Sequence, residues 1–162
     1  MNIIPYQFVP PKGLAAIKAR YGDFTYTELS KGEVDISDTW ERDNLVVLRN
    51  VCGTGLSIQL HRLVAPIFEV CLEEAIKRVP GYKVRMLGGH SARHMMHDPT
   101  RPLSMHSWGC AFDVNWDLNP VAGTLITDIP ADWRQAFTEQ GWAWGGNWKK
   151  PVDSMHFEYG SM

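Results

Sequence analysis

SMHSWGCAFDVNWDLNP, residues 104–120, sets a histidine (His106), a carboxylate (Asp113) and turn chemistry (Gly109, Asn119, Pro120) inside one short apolar segment. Side chains alternate across a strand, so Cys110, Phe112 and Val114 form one face and Ala111, Asp113 and Asn115 the other. Asp113 then projects from a strand whose back lies in the core. A plain edge strand with a polar side has the same pattern, and Asp113 alone would serve equally as a turn or cap residue. Near the C-terminus the arrangement returns, with Met155, Phe157 and Tyr159 facing one way and Ser154, His156 and Glu158 the other. Two strands thus each present a ligand-type side chain. His106 lies just ahead of the first, and Gly109 permits a sharp change of direction between them.

Together His106, Asp113 and His156 make a set of two imidazole nitrogens and one carboxylate oxygen. That set suits zinc, which at catalytic sites keeps a fourth position for water. Asp153, three residues before His156, is spaced to act as general base for that water. Each residue alone has a more ordinary reading, because a single histidine in a mixed segment is more often a hydrogen-bonded core or surface residue than a ligand. The pairing across two apolar strands is what raises the metal reading.

Working outward, Gly13 to Arg20 is a short helix closed by Gly22, and Asn44 to Val51 reads as a strand. From Ser57 to Val79 apolar residues recur at a three-four spacing, which predicts one main core helix, with a kink or a break at Pro66. Tyr82 to Leu87 alternates as a strand ending at Gly88-Gly89, and Ala131 to Gln140 is a C-terminal helix. The loop His90 to Leu103 holds Arg93, His94, His97, Asp98 and Arg101, more polar groups than a structural connection needs. His94 and His97 are left out of the metal set as solvated loop residues. These elements predict an α+β fold, a small antiparallel sheet with helices packed on one face and the zinc site on the open face.

A chain of 162 residues is the size of one domain and long enough to bury roughly 70 % of its unfolded surface. Residues 1–43 read as a covering segment and 44–162 as the core that carries the site. Sixteen basic against eighteen acidic side chains give a net charge of -2, which leaves no phosphate-tracking face and argues against nucleic acid as a partner. MNIIPYQFVPPKG at the N-terminus has neither a basic start nor a long apolar run, so no export signal or membrane insertion is expected and the chain is read as made in the cytoplasm. Cys52, Cys71 and Cys110 are odd in number and widely spaced in apolar settings, which favours buried free thiols.

SMHSWGCAFDVN resembles the S-x-H-x-x-G-x-A-x-D pattern of the zinc peptidases that cut peptidoglycan stem peptides, at Ser104, His106, Gly109, Ala111 and Asp113. This family holds D-alanyl-D-alanine carboxypeptidases, vancomycin-resistance dipeptidases and the L-alanyl-D-glutamate endopeptidases of phage endolysins. DSMHFE is similar to the second signature of the family, at Asp153 and His156, and WAWGGNW to the W-G-G-x-W stretch of the endolysin branch, at Trp144, Gly145, Gly146 and Trp148. Asn147 stands where many relatives carry aspartate. Arg93 in GGHSARH matches an arginine that contacts the substrate carbonyl or carboxylate.

The resemblance implies a Hedgehog/DD-peptidase-like fold and zinc held by His106, Asp113 and His156. It further implies Asp153 as base, Arg93 beside the growing oxyanion, and Ser104, Trp144 and Trp148 as substrate-binding residues. Core packing is an equal reading for Trp144, and Glu158 is either a support for a ligand histidine or a surface residue. The implied reaction is cleavage between L-alanine and D-glutamate by an endolysin-type enzyme, expected to be a monomer. It would act on the wall after release from the cell or as part of a phage particle. D-alanyl-D-alanine carboxypeptidase action is the near alternative. A non-catalytic zinc module that recognises cell wall, like the Hedgehog signalling domain, is the distant one.

Overall fold

A computed structural model describes residues 7–162; the first six residues of the N-terminal stretch read above lie outside it. In chain order the elements are α1 (Leu14–Tyr21), β1 (Tyr26–Glu28), β2 (Val34–Ile36), α2 (Trp40–Asn44), β3 (Leu45–Leu48), β4 (Ile58–His61) and α3 (Ala65–Arg78). They continue with β5 (Leu87–Gly88), β6 (Ala111–Val114), β7 (Val121–Ala122), α4 (Ala131–Thr138), β8 (Ala143–Trp144), β9 (Val152–Asp153) and β10 (His156–Glu158). The architecture is α+β, with small antiparallel sheets and four helices among the described residues.

The central sheet has the order β5-β6-β10-β8, antiparallel throughout. Its register is the feature that matters for the site: Gly88 pairs with Asp113, Asp113 with His156, and Phe112 with Phe157. Because the side-chain period is two, the phenylalanines face one way and the polar pair the other. Phe112 and Phe157 stack at 4.9 Å and 3°, and α3 and α4 close over them through Phe68 and Phe137, each 4.9 Å from Phe112 and 5.9 Å from one another. Ile67, Phe68, Cys71, Leu72 and Ala75 form the buried stripe of α3, as its spacing requires. Truncating a ring buried this fully, as in Phe112→Ala, costs about 3–5 kcal/mol.

The helix expected over Ser57 to Val79 is in fact two elements. Ile58–His61 is a strand paired with β3, and the helix begins at Ala65 with Pro66 in its first turn. There the missing proline N–H is one that a helix leaves unpaired anyway, so Pro66 starts α3 instead of bending it. Ile58 and Leu60 satisfy a period of two as well as they satisfy the helical one.

The strand expected over Tyr82 to Leu87 shrinks to Leu87–Gly88. Asn115 is the cause, for its Oδ1 accepts from the N–H groups of Arg85 and Met86 at 2.8 and 3.1 Å, and its Nδ2 donates to the Lys83 carbonyl. These side-chain bonds take the place of a ladder. All three cysteines are free thiols; Cys71 and Cys110 are buried, whereas Cys52 is exposed, in a tight surface turn with a left-handed backbone. No helix among the described residues is long and apolar enough to cross a membrane.

Candidate active site

His106 sits in a short 3-10 turn, Met105–Trp108, whose first N–H groups are tied to Ser104: its Oγ accepts from the His106 N–H at 3.3 Å. Gly109 ends the turn at φ 64, where a Cβ would come 2.7 Å from Leu45 Cδ2 and 2.8 Å from the His61 nitrogen. Only glycine makes this reversal, and it throws β6 back beneath the histidine. Asp113 then lies opposite His156 in the ladder.

Their ligand atoms converge. His106 Nε2 is 3.1 Å from His156 Nδ1 and 3.3 Å from Asp113 Oδ1, and His156 Nδ1 is 3.0 Å from the same oxygen. The far side of each ring fixes which nitrogen is bare. His106 Nδ1 faces the Gly89 carbonyl at 2.7 Å, and His156 Nε2 faces Glu158 Oε2 at 3.1 Å. Both partners only accept, so those nitrogens carry ring protons, and the inner ones are left to take up a cation, whether a metal ion or a further proton. Two lone pairs and a carboxylate oxygen, largely buried, repel one another unless positive charge sits among them. Burial pushes the His156 ring down, yet its bonds to Asp113 and Glu158 raise it to about 10. Burial would also raise the Asp113 carboxyl, but the rings of His106 and His156 beside it hold it far below the usual carboxylate range. The donor set and its preference for a cation fit a tetrahedral metal such as zinc.

Asp153 reaches the same cleft from β9, which pairs with β7. It lies directly on Gly145, where a Cβ would meet the Asp153 carbonyl oxygen at 2.4 Å and its Cβ at 3.2 Å. Its Oδ1 is buried without a hydrogen-bond partner. Burial raises the Asp153 carboxyl above its ordinary value, against the lowering effect of His156. A carboxylate that lines the cleft beside a metal-type triad, with one oxygen buried and unpartnered, is placed to exchange a proton with something that enters the cleft.

Arg93 lines the cleft on a pinned backbone. Its N–H donates to Ser107 Oγ at 3.1 Å, and its carbonyl accepts from Ser107 Oγ and the Ser104 N–H, both at 2.9 Å. The cleft encloses about 510 Å³, and Ser104, Asp113, Trp148, Asp153, His156 and Glu158 share its wall with Arg93. Trp148 stands over the triad with its ring 5.3 Å from that of His156.

Trp144 is elsewhere. Its indole is buried, stacks on Phe157, lies under the Arg134 guanidinium at 4.1 Å and donates Nε1–H to the Ser154 carbonyl at 2.8 Å. It has no surface on the cleft, because its register partner is Phe157 and both belong to the core face. His97 lines the cleft, while His94 is not solvated as expected but buried, bonded to Glu28 and to the Arg101 carbonyl. Residues that sequence reasoning passed over are the Gly89 carbonyl, for which no sequence signal exists, and Met95, Val121, Pro151 and Met155 along the wall.

Residues 97–159, which contain His106, Asp113, Asp153 and His156 but not Arg93, match a family model described as D-alanyl-D-alanine carboxypeptidase. No curated protein and no solved structure matches the chain.

Proposed function

From the match of residues 97–159 to the D-alanyl-D-alanine carboxypeptidase family model and the geometry of the site, we propose that this chain is a zinc metallopeptidase acting on peptidoglycan, an L-alanyl-D-glutamate endopeptidase of the endolysin type. The observation that carries a hydrolytic site is the convergence of the inner imidazole nitrogens of His106 and His156 with the Asp113 oxygen, beside the unpartnered carboxylate of Asp153. The choice of bond is favoured by the resemblance of WAWGGNW, Trp142 to Trp148, to the endolysin stretch.

In this reading His106, Asp113 and His156 hold zinc on the face of the sheet away from the helices. Bound there, zinc supplies a Lewis acid for the scissile carbonyl and acidifies water. The Asp153 carboxylate accepts a proton from the attacking water and returns it to the leaving amine as the C–N bond breaks, so the enzyme ends in its starting state. Arg93 places fixed positive charge where the oxyanion grows; loss of one such donor costs about 2.7–4 kcal/mol of barrier. Ser104 holds the His106 turn, and Trp148 walls the cleft for the stem peptide. Glu158 fixes the His156 tautomer. Trp144 contributes packing alone.

The fold is read as Hedgehog/DD-peptidase-like, one domain over 1–162 with a covering segment to residue 43 and a catalytic core from 44. Action on the wall after release from an infected cell, or from a phage particle, belongs to the same reading, as does a monomer. D-alanyl-D-alanine carboxypeptidase action remains the second reading, since the matching family carries that description. The open Asp153 oxygen favours catalysis over a recognition-only module.

Defined muropeptides separate the two bonds. Mass spectrometry that finds a new amino-terminal D-glutamate supports the endopeptidase; released terminal D-alanine overturns it in favour of the carboxypeptidase. Zinc content by elemental analysis, with wall lysis lost on chelation and regained with zinc, tests the metal.

A further inference from the structure

Register partners in an antiparallel ladder carry their side chains on the same face, so Gly88, Asp113 and His156 form one row across the sheet, on the side of the triad. At the β5 end of that row Gly88 has no side chain, and an indole occupies the space: Cζ3 of Trp116 lies 3.6 Å from where a Gly88 Cβ would be. Trp116 is 44 % exposed, so its ring rests on the sheet by one part and is open on another. At the other end, after the Gly145–Asn147 turn, stands the half-exposed Trp148. Two open indoles bracket the triad.

The turn that carries Trp116 is fixed on both sides. Asn115, fully buried at φ 44, is held by the four bonds of its side chain to Tyr82, Lys83, Arg85 and Met86. Asp117 pairs with both oxygens to Arg85 Nη2, at 2.9 and 3.1 Å, and the Leu118 N–H returns to the Asn115 carbonyl. An indole kept half in water on a turn this firmly anchored gives up little freedom when a ligand covers it. Its apolar face with a polar edge suits a ring that is apolar on its faces and hydroxylated at its rim.

We propose that Trp116 is a saccharide-binding residue, on which the sugar ring that bears the stem peptide stacks. The proposal rests on the endopeptidase reading above. With cleavage between L-alanine and D-glutamate, one alanine separates the scissile bond from the lactyl-substituted sugar, about 7 Å for two extended links. Adjacent strands are about 4.8 Å apart, so an indole one strand beyond Asp113 is within that span. The stem peptide then runs from Trp116 across the triad toward Trp148 and Arg93.

The test uses the zinc-loaded protein and two soluble substrates, a disaccharide-peptide and the same peptide without sugar. Wild type has the higher kcat/KM for the sugar-bearing substrate. Trp116→Ala brings the ratio between the two substrates toward one by raising KM for the sugar-bearing peptide about tenfold, and Trp116→Phe restores most of the preference. Equal losses on both substrates, or a ratio that stays at the wild-type value, overturn the proposal. The product masses report separately on the bond. A new amino-terminal D-glutamate with an unchanged ratio removes only the sugar platform, whereas terminal D-alanine released by wild type removes the endopeptidase reading and the platform with it.

Discussion

His156 donates its outer ring proton to Glu158, 3.1 Å away, and the two side chains lie on the same strand two residues apart. The strand period makes this pairing automatic, because residues i and i+2 share a face. The carboxylate thereby decides which nitrogen of His156 is bare. In Glu158→Gln the charge is gone and the amide can turn its NH2 toward the ring, which favours the wrong tautomer. We expect metal affinity to fall about 10- to 100-fold, read by competition with a chromogenic chelator. An affinity equal to wild type would show that Glu158 does not orient the histidine.

Asp153→Asn is the corresponding test of the open carboxylate. The amide has the same shape, and Oδ1 makes no hydrogen bond whose loss would unsettle the fold. The variant is expected to melt and to hold zinc like wild type while turnover of purified peptidoglycan drops about 10²- to 10⁴-fold. Turnover within a few-fold of wild type would remove Asp153 from proton transfer.

Much of this geometry was legible in residues 104–120 and 153–158. A period of two in an apolar segment forces Asp113 and His156 to one face, and the ladder then needs only the right register to bring them to 3.0 Å. What the sequence hid depends on tertiary partners. The Gly89 carbonyl that fixes the His106 tautomer is a backbone atom brought in by β5. Ile58 to His61 fits a helix or a strand by spacing alone, and pairing with β3 decides it. His94 looks like a loop residue until β1 is seen to supply Glu28. Trp144 and Trp148 are four residues apart with the same aromatic character, yet Trp144 lies opposite Phe157 in the ladder while Trp148 follows the Gly145–Asn147 turn out of it, and only Trp148 reaches the cleft.

That last pair yields a contrast between stability and binding. Trp144→Ala removes a buried indole together with its bond to the Ser154 carbonyl and its contact with Arg134. The expected loss is about 3–5 kcal/mol of unfolding free energy. Trp148→Ala removes a ring that is 38 % exposed, so denaturant titration should find it within about 1 kcal/mol of wild type, with KM for the stem peptide raised. The opposite assignment, a destabilised Trp148 variant and a stable Trp144 variant with a raised KM, would reverse the roles given to the two indoles.

The pH dependence of the loop that carries Arg93 follows from His94. Both ring nitrogens face acceptors, Nδ1 the Arg101 carbonyl and Nε2 the Glu28 carboxylate at 3.0 and 3.1 Å, with Asp98 also nearby. Burial lowers the His94 pKa, but these acceptors outweigh it and the net shift is upward. A group whose folded pKa is raised contributes stability that is complete below its unfolded pKa, about 6.5, and is lost as pH rises through the folded value. Strand β1 is therefore held to the 90–103 loop most firmly in mild acid. His94→Gln keeps a donor and loses the charge. The difference in unfolding free energy between wild type and His94→Gln should be largest below about pH 6.5 and shrink as the pH is raised through the folded pKa of His94. A difference that grows with pH would mean that the neutral ring, and not the imidazolium, makes the brace.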